Sequence, residues 1–382
     1  MYKFLLFLGF VFFSVSCAQK NSFETNNTNG NITNEFDTIN NWTTQLLKHY
    51  FINLAQTTRF NGGIIVSKNG SIVYQDVSGY ANYAGKDTLT LHTAFQIGSV
   101  SKQFTAVAIL QLFEKGLLQL SDAIEKYIPG FPDKSITINM LLNHTSGLAN
   151  YNYFCEQYTD RITPLTNKEV ADIMIAHNPA PYFPPGLQFD YCNTNYVLLA
   201  LIVENVSKMP FRSYCDEHIF KPSGMTNTYI FSFFNKRKAA IGYHFPWTEA
   251  LHTYQDEVTG DKGVYTTLYD MYNWDRALYS GEIISHNLLN TAFQPSVING
   301  EVVNYGMGWR IMEYNKNSKI IFHGGWWRGF TALFVRDLTN KTSIFIYSNV
   351  RTNAVYNNYQ FVLNVLSGKP IRYNINSTEL AR

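Results

Sequence analysis

Apolar residues recur at helical spacing from Asn40 to Leu54, where Trp42, Leu46, Leu47, Tyr50 and Ile52 predict an amphipathic helix. The pattern then turns to strands. Two β-branched runs, Ile64 to Ser67 and Ile72 to Val77, flank Asn69-Gly70, a pair suited to the left-handed positions of a tight turn, and predict a hairpin. Residues 101–115 combine helix formers with a Ser at the start and Gly116 just past the end, which predicts a helix with Ser99 at its N-terminal edge. From about 120 to 235 the chain reads as short helices broken by Pro and Gly, among them Lys168 to His177 and Tyr196 to Val206. Strand signals return between Gly306 and Ser348 in GMGWRIMEY, KIIFH, GFTALFVRD and TSIFIYSN, with 315–317 and 337–340 as turns. A last helix, Val355 to Leu366, would cover that sheet. Strands at both ends with helices between them predict one sheet assembled from both halves of the chain, with a helical lobe inserted. The cleft between lobes is the place to look for a site.

The two ends read differently. Lys3 precedes an apolar run from Phe4 to Val15 that is too short to span a bilayer core of roughly 30 Å, so residues 1–17 are expected to be an export signal. Cys17 after Ser14-Val15-Ser16 resembles a bacterial lipobox, in which the Cys carries the lipid anchor, although Ser14 stands where that pattern prefers Leu. Cleavage after Ala18, leaving Gln19 first in a soluble product, is the alternative. Residues 18–38, polar and rich in Asn and Thr, are expected to be a tether, and 371–382 a C-terminal tail. The expected location is the bacterial cell envelope on the periplasmic side, or the medium.

Composition narrows the function classes. With 46% hydrophobic and 15% charged residues in 382, the chain can bury a large core. Its net charge of +2 has no basic block behind it, which argues against a nucleic-acid partner. Cys155, Cys192 and Cys215 could supply one disulfide in an oxidising compartment, and their spacing leaves the pairing open. They form no C-x-x-C and no Cys/His cluster, so no metal is expected.

Three short elements carry chemistry. Ser99-Val100-Ser101-Lys102 is an S-x-x-K: on the first turn of a helix, residues three apart face the same side, and the Lys ammonium can reach the Ser hydroxyl. A Ser before a helix also serves as a plain cap. Tyr191-Cys192-Asn193 is a Y-x-N placed on a loop before the helix expected near Tyr196, and a phenol acting as a base there would need nearby cations such as Lys102 to lower its pKa. His323-Gly324-Gly325, at the end of KIIFH, is an H-x-G whose glycine lets a substrate backbone approach the strand.

In this order the three elements resemble the class C β-lactamase and penicillin-binding-protein-like serine hydrolases, from about Asn40 to Ser367. FQIGSVSKQFTAVAI, KSITINMLLNHTSGL, FPPGLQFDYCNTNYVLL, PSGMTNT, GVYTTLYDMYNWDRAL and NYGMGW look like that family in the same order. The resemblance implies a β-lactamase/transpeptidase-like α/β (α+β) fold over 39–370, an antiparallel sheet flanked by helices, with a sheet lobe of 39–98 and about 236–370 and a helical lobe of about 99–235. It implies Ser99 as nucleophile and Lys102 and Tyr191 as coupled base and acid. Asn193, His323 and Gly325 would bind substrate, and the backbone amides of Ser99 and Trp326 would form the oxyanion hole. Neither a metal nor an organic cofactor is required.

The implied reaction is hydrolysis, through an acyl-enzyme, of peptide, D-amino-acid or ester substrates. Partners would be a small molecule or peptide, with membrane contact only through the anchor at Cys17. A β-lactam or muropeptide sensor that lost turnover is the alternative. An α/β-hydrolase is disfavoured, because no G-x-S-x-G surrounds Ser99. One departure bears on substrate. True class C β-lactamases carry K-T-G at the third element, whereas His323 would be a cation only below a pKa near 6.5, if unperturbed. That predicts poorer turnover of the cephalosporin nitrocefin than of a neutral ester at neutral pH. Trp326, Trp327 and Arg328 follow directly and could narrow the pocket or stack on a substrate; core packing and surface exposure are the alternative.

Overall fold

The computed structural model describes residues 41–235, 237–315 and 318–368. The expected signal 1–17 with Cys17, the tether 18–38 and the tail 371–382 lie outside the described residues.

Six strands form the central antiparallel sheet: β1 (Gly62–Lys68), β2 (Ser71–Ser78), β3 (Arg310–Asn315), β4 (Ser318–Trp327), β5 (Phe330–Asp337) and β6 (Thr342–Ser348). Their spatial order is β3-β4-β5-β6-β1-β2. β1 pairs with β6 from Gly62↔Ser348 to Lys68↔Thr342, which joins the two halves of the chain. The β1–β2 turn has φ of 51° at Asn69 and 76° at Gly70, the left-handed pair that matches the twist of a tight hairpin.

Five helices that pack on the two faces of the sheet are α1 (Asn41–Thr57), α2 (Lys102–Glu114), α3 (Asn193–Ser207), α4 (Leu268–Ser280) and α5 (Tyr359–Leu366). Alternate residues of each strand serve opposite faces of the sheet. Ile64, Val66, Ile344 and Ile346 pack with Leu47 and Phe51 of α1 and Val362 of α5. Ile65, Phe345 and Tyr347 belong to a second core with Phe104 of α2, Val197 of α3 and Trp274 of α4. A sheet covered on both faces needs no polar alternation, so β5 and β6 read as unbroken buried runs.

Three local expectations change. Helix α2 starts at Lys102, and Ser99 lies in a 3-10 turn, Gly98–Ser101, that feeds it. Asn193 is the first residue of α3 instead of a loop residue. β4 runs past His323 to Trp327, so H-G-G lies inside a strand. Sheet pairing continues there because β5 opposes it residue by residue, down to Trp327↔Phe330. Cys155, Cys192 and Cys215 are all buried with free thiols, so none of the possible bridges is present.

Candidate active site

The position of Ser99, the expected nucleophile, depends on two glycines. Gly98 has φ of 52°, and a Cβ there would fall 2.6 Å from Trp326 N; a Cβ on Gly325 would fall 2.0 Å from Ile97 O and 2.8 Å from Ser99 N. Two residues without side chains therefore let the turn before α2 touch strand β4 backbone to backbone. That contact brings together the amides of Ser99 and Trp326, the pair expected to hold an oxyanion. Donors fixed by the backbone cost no reorganisation when charge develops.

Lys102 is fully buried one turn beyond Ser99. Its Nζ donates to Ser99 Oγ at 3.1 Å, to Asn193 Oδ1 at 2.8 Å and to the Asp261 carbonyl at 3.0 Å. Three acceptors match its three protons, and they aim the amine at the hydroxyl. Burial pushes Lys102 from its ordinary 10.5 down to about 7, with the Asp261 carboxylate opposing and the Arg310 guanidinium reinforcing the shift. Asn193 is held in turn, since its Nδ2 donates to Asn152 Oδ1 at 2.7 Å.

Tyr191 lies on the loop before α3, its ring 4.8 Å from Lys102 Nζ and 5.4 Å from the Arg310 guanidinium. Its hydroxyl is buried and has no hydrogen-bond partner of good geometry among the described residues. Burial pushes this phenol well above its usual range, against smaller opposing effects of the neighbouring Ser99 hydroxyl and Arg310. The cations beside it, Lys102 and Arg310, do not offset desolvation, so burial disfavours the phenolate. His144, unassigned in the sequence, fixes the loop: its Nδ1 accepts from Cys192 N at 3.2 Å, and its ring lies 4.4 Å from that of Tyr191. The Cys192 thiol is pushed up to about 11 by burial, which makes it a poor nucleophile.

His323 departs from expectation. It is 1% exposed, its Nδ1 donates to Gly324 O at 2.6 Å, and its Nε2 accepts from the Tyr305 hydroxyl at 3.2 Å. Burial first, then Arg310 and Lys102, push the imidazole well below its ordinary value. It is therefore no cation near pH 6.5. Two arginines that the sequence analysis did not single out supply the charge instead. A cavity of about 220 Å³ beside Ser99 is lined by Tyr191, His323 and Trp326 together with Arg310 and Arg351, and by no carboxylate. Neither arginine pairs with a carboxylate among the described residues. Arg351 lies 4.5 Å over the half-exposed ring of Trp326. No motif spacing marks these arginines, because β3 and the segment after β6 meet the site only through the sheet.

Trp327 and Arg328 turn away from the cavity. Trp327 Nε1 donates to Asp256 Oδ1 at 2.7 Å, and Arg328 donates to the carbonyls of Leu251 and Ala250 at 2.8 and 2.6 Å. Of the three residues after H-G-G, Trp326 is the one that lines this cavity.

The Beta-lactamase family profile matches residues 47–368. A penicillin-binding protein of Bacillus subtilis (strain 168) is 31% identical over 327 residues, covering 81% of this chain and 72% of that protein. The octameric penicillin-binding protein homologue from Pyrococcus abyssi superposes with a TM-score of 0.73 at 26% identity, over 85% of this chain and 77% of that one. A penicillin binding protein from Bacillus halodurans does so with 0.70 at 26% identity, over 84% and 98%. The matched span runs from α1 to the end of α5 and takes in Ser99, Lys102, Tyr191 and His323, so this chain belongs to the Beta-lactamase family.

Proposed function

We propose that this chain is a serine acyl hydrolase working through an acyl-enzyme on Ser99, with a preference for acyl donors that carry a carboxylate, such as D-amino-acid peptides. The observation that carries this reading is the fully buried Lys102 amine 3.1 Å from Ser99 Oγ, which burial pushes down to about 7. Ser99 Oγ attacks the substrate carbonyl and its proton passes to Lys102 Nζ. The amides of Ser99 and Trp326 hold the oxyanion. As the tetrahedral intermediate collapses, Tyr191 donates its hydroxyl proton to the leaving group and regains one from the Lys102 ammonium. Water then attacks the acyl-enzyme by the same route in reverse and frees Ser99.

The substrate preference reverses the one expected from His323, and the paired arginines are what support the reversal. A carboxylate entering a cavity with two arginines and no acid gains charge-assisted hydrogen bonds that a neutral ester cannot make. Arg351→Ala is expected to raise KM for a D-Ala-D-Ala peptide by about tenfold, as befits one exposed charged contact, while p-nitrophenyl acetate changes less than about twofold. Steady-state kinetics on both substrates, with nitrocefin as a third, decide this. Equal losses on all three would end the carboxylate reading, and labelling by a fluorophosphonate without turnover of any substrate would favour the sensor.

An envelope location is part of the proposal, supported by Lys3, the apolar run to Val15 and the lipobox-like Cys17. Among the described residues, no helix is long and apolar enough to cross a membrane. Palmitate is expected to label the full-length protein in a bacterial host and to be lost in Cys17→Ala. Incorporation unchanged by that substitution would rule out the anchor at Cys17.

A further inference from the structure

A second lysine lies buried behind the site and has no part in the mechanism above. The side chain of Lys262 is 4% exposed, and its Nζ lies 3.6 Å from Asp261 Oδ1. It donates to the Tyr151 hydroxyl at 2.7 Å and to Val258 O at 3.1 Å. Tyr151 passes the contact on by donating to Asp261 Oδ2 at 3.0 Å. Among the described residues, Asp261 Oδ1 has no hydrogen bond, and the cation it meets is this ammonium. The same residue's backbone carbonyl accepts from Lys102 Nζ. The two lysines thus hold opposite ends of one residue, and of the two it is Lys262 that meets the carboxylate, directly and through Tyr151.

A count of charges around Lys102 gives this arrangement its meaning. Tyr191 and Cys192 face it from the loop before α3, Tyr196 from α3 and Arg310 from β3. His144 and His323 are also within electrostatic range, as are Asp261 and Lys262. Burial keeps both imidazoles neutral and the phenols and thiol protonated. Among the described residues, the charges that remain nearest Lys102 are Arg310, two lysines and the Asp261 carboxylate, with the Asp256 carboxylate also acting on Lys262. Asp256, the next carboxylate, is already taken by His252 at 2.8 Å and by Arg328 at 3.3 Å. Two buried ammoniums on one carboxylate leave an unbalanced charge, which a dry interior disfavours. Burial lowers Lys262 as well as Lys102, and Lys262, in contact with the Asp261 carboxylate, is the one better placed to keep a proton.

We propose that Lys262 is a positioning residue for the proton chemistry: by holding the one proton that the Asp261 carboxylate can balance, it leaves Lys102 to act as the free amine. This rests on the reading of Ser99 and Lys102 as nucleophile and base. Lys262 touches neither substrate nor the reacting atoms. It acts through the charge of Lys102, and its signature is therefore a shifted pH profile and not a uniform loss of rate.

The test follows Ser99 acylation by a fluorophosphonate against pH in the full-length protein, with the lysines read separately by NMR titration after ε-carbon-13 labelling. In the wild type, Lys102 is expected to titrate first and Lys262 at higher pH; the reverse order overturns the proposal without any variant. Lys262→Met should move the acid limb of acylation up by about one pH unit, since a nearby charge shifts a buried group by about that much or more. Lys262→Arg keeps the cation and should leave the limb in place. Removing both charges in Lys262→Met/Asp261→Asn should bring the limb back toward the wild-type position. A folded Lys262→Met protein with an unmoved limb, or a double variant shifted further up, would refute the proposal. Wild-type lysines titrating in the expected order, with no labelling of Ser99, would instead sink the hydrolase reading alone.

Discussion

Ser99→Ala is expected to abolish fluorophosphonate labelling and to lower kcat/KM by about four to six orders of magnitude, the range seen when residues of another serine hydrolase's catalytic triad are removed. The fold should survive. Ser99 is half-buried, and its hydroxyl accepts a hydrogen bond from a Lys102 amine that keeps two other acceptors, Asn193 Oδ1 and Asp261 O. Losing one such bond costs about 1 kcal/mol, too little to unfold a domain of this size. Labelling, turnover and a thermal melt on the same preparation separate the two effects. A variant that melts normally yet still labels would remove Ser99 from the mechanism.

The second large effect belongs to Lys102 and Tyr191 as a unit. Lys102→Ala and Tyr191→Phe are each expected to cost at least about a thousandfold in kcat/KM, and the double variant should be little worse than either, because a proton relay broken once is broken. Fully additive losses would show two independent roles. The pH profile supplies a further check. Lys102 must be neutral to accept the Ser99 proton, so kcat/KM should rise with pH through an acid limb centred near 7, where burial has placed this amine.

The same group leaves a mark on stability, with the sign set by its lowered pKa. Between about 7 and 10.5 the unfolded chain binds the extra proton, so its contribution makes stability rise with pH across that window. Below about 7 the native state carries the full cost of a buried ammonium, on the order of 5 kcal/mol. Lys102→Met should therefore melt higher than wild type at pH 6, and the advantage should shrink toward pH 10. Acceptors left unpaired at Asn193 and Asp261 offset part of the gain. A variant less stable at pH 6 than at pH 10, relative to wild type, would show that Lys102 is not buried as an amine.

Much of this protein is legible along the chain wherever the cause is local. The Asn69-Gly70 turn, the helix behind Ser99 and the strands from β3 to β6 follow from backbone preferences and the spacing of apolar residues, which act within a few positions. The three-residue spacing that sets Lys102 beside Ser99 is likewise a property of one helical turn. What an isolated stretch could not show is the environment of each group. His323 reads as an imidazole that becomes a cation below about 6.5, and only the packing of Tyr305 and the Gly324 carbonyl around it, with Arg310 nearby, reveals that burial holds it well below that value. Tyr191 would need neighbouring cations to act as a base, and only the packed structure shows that desolvation outweighs them. Arg310 and Arg351 are about 40 residues apart, and they line one cavity only because the sheet and the segment leaving it close around Ser99. Sequence thus determined which reactive groups the chain carries and the local turns that present them. Their charge states and the sign of the pocket were decided by tertiary structure, because desolvation and Coulomb interactions act through space and not along the chain.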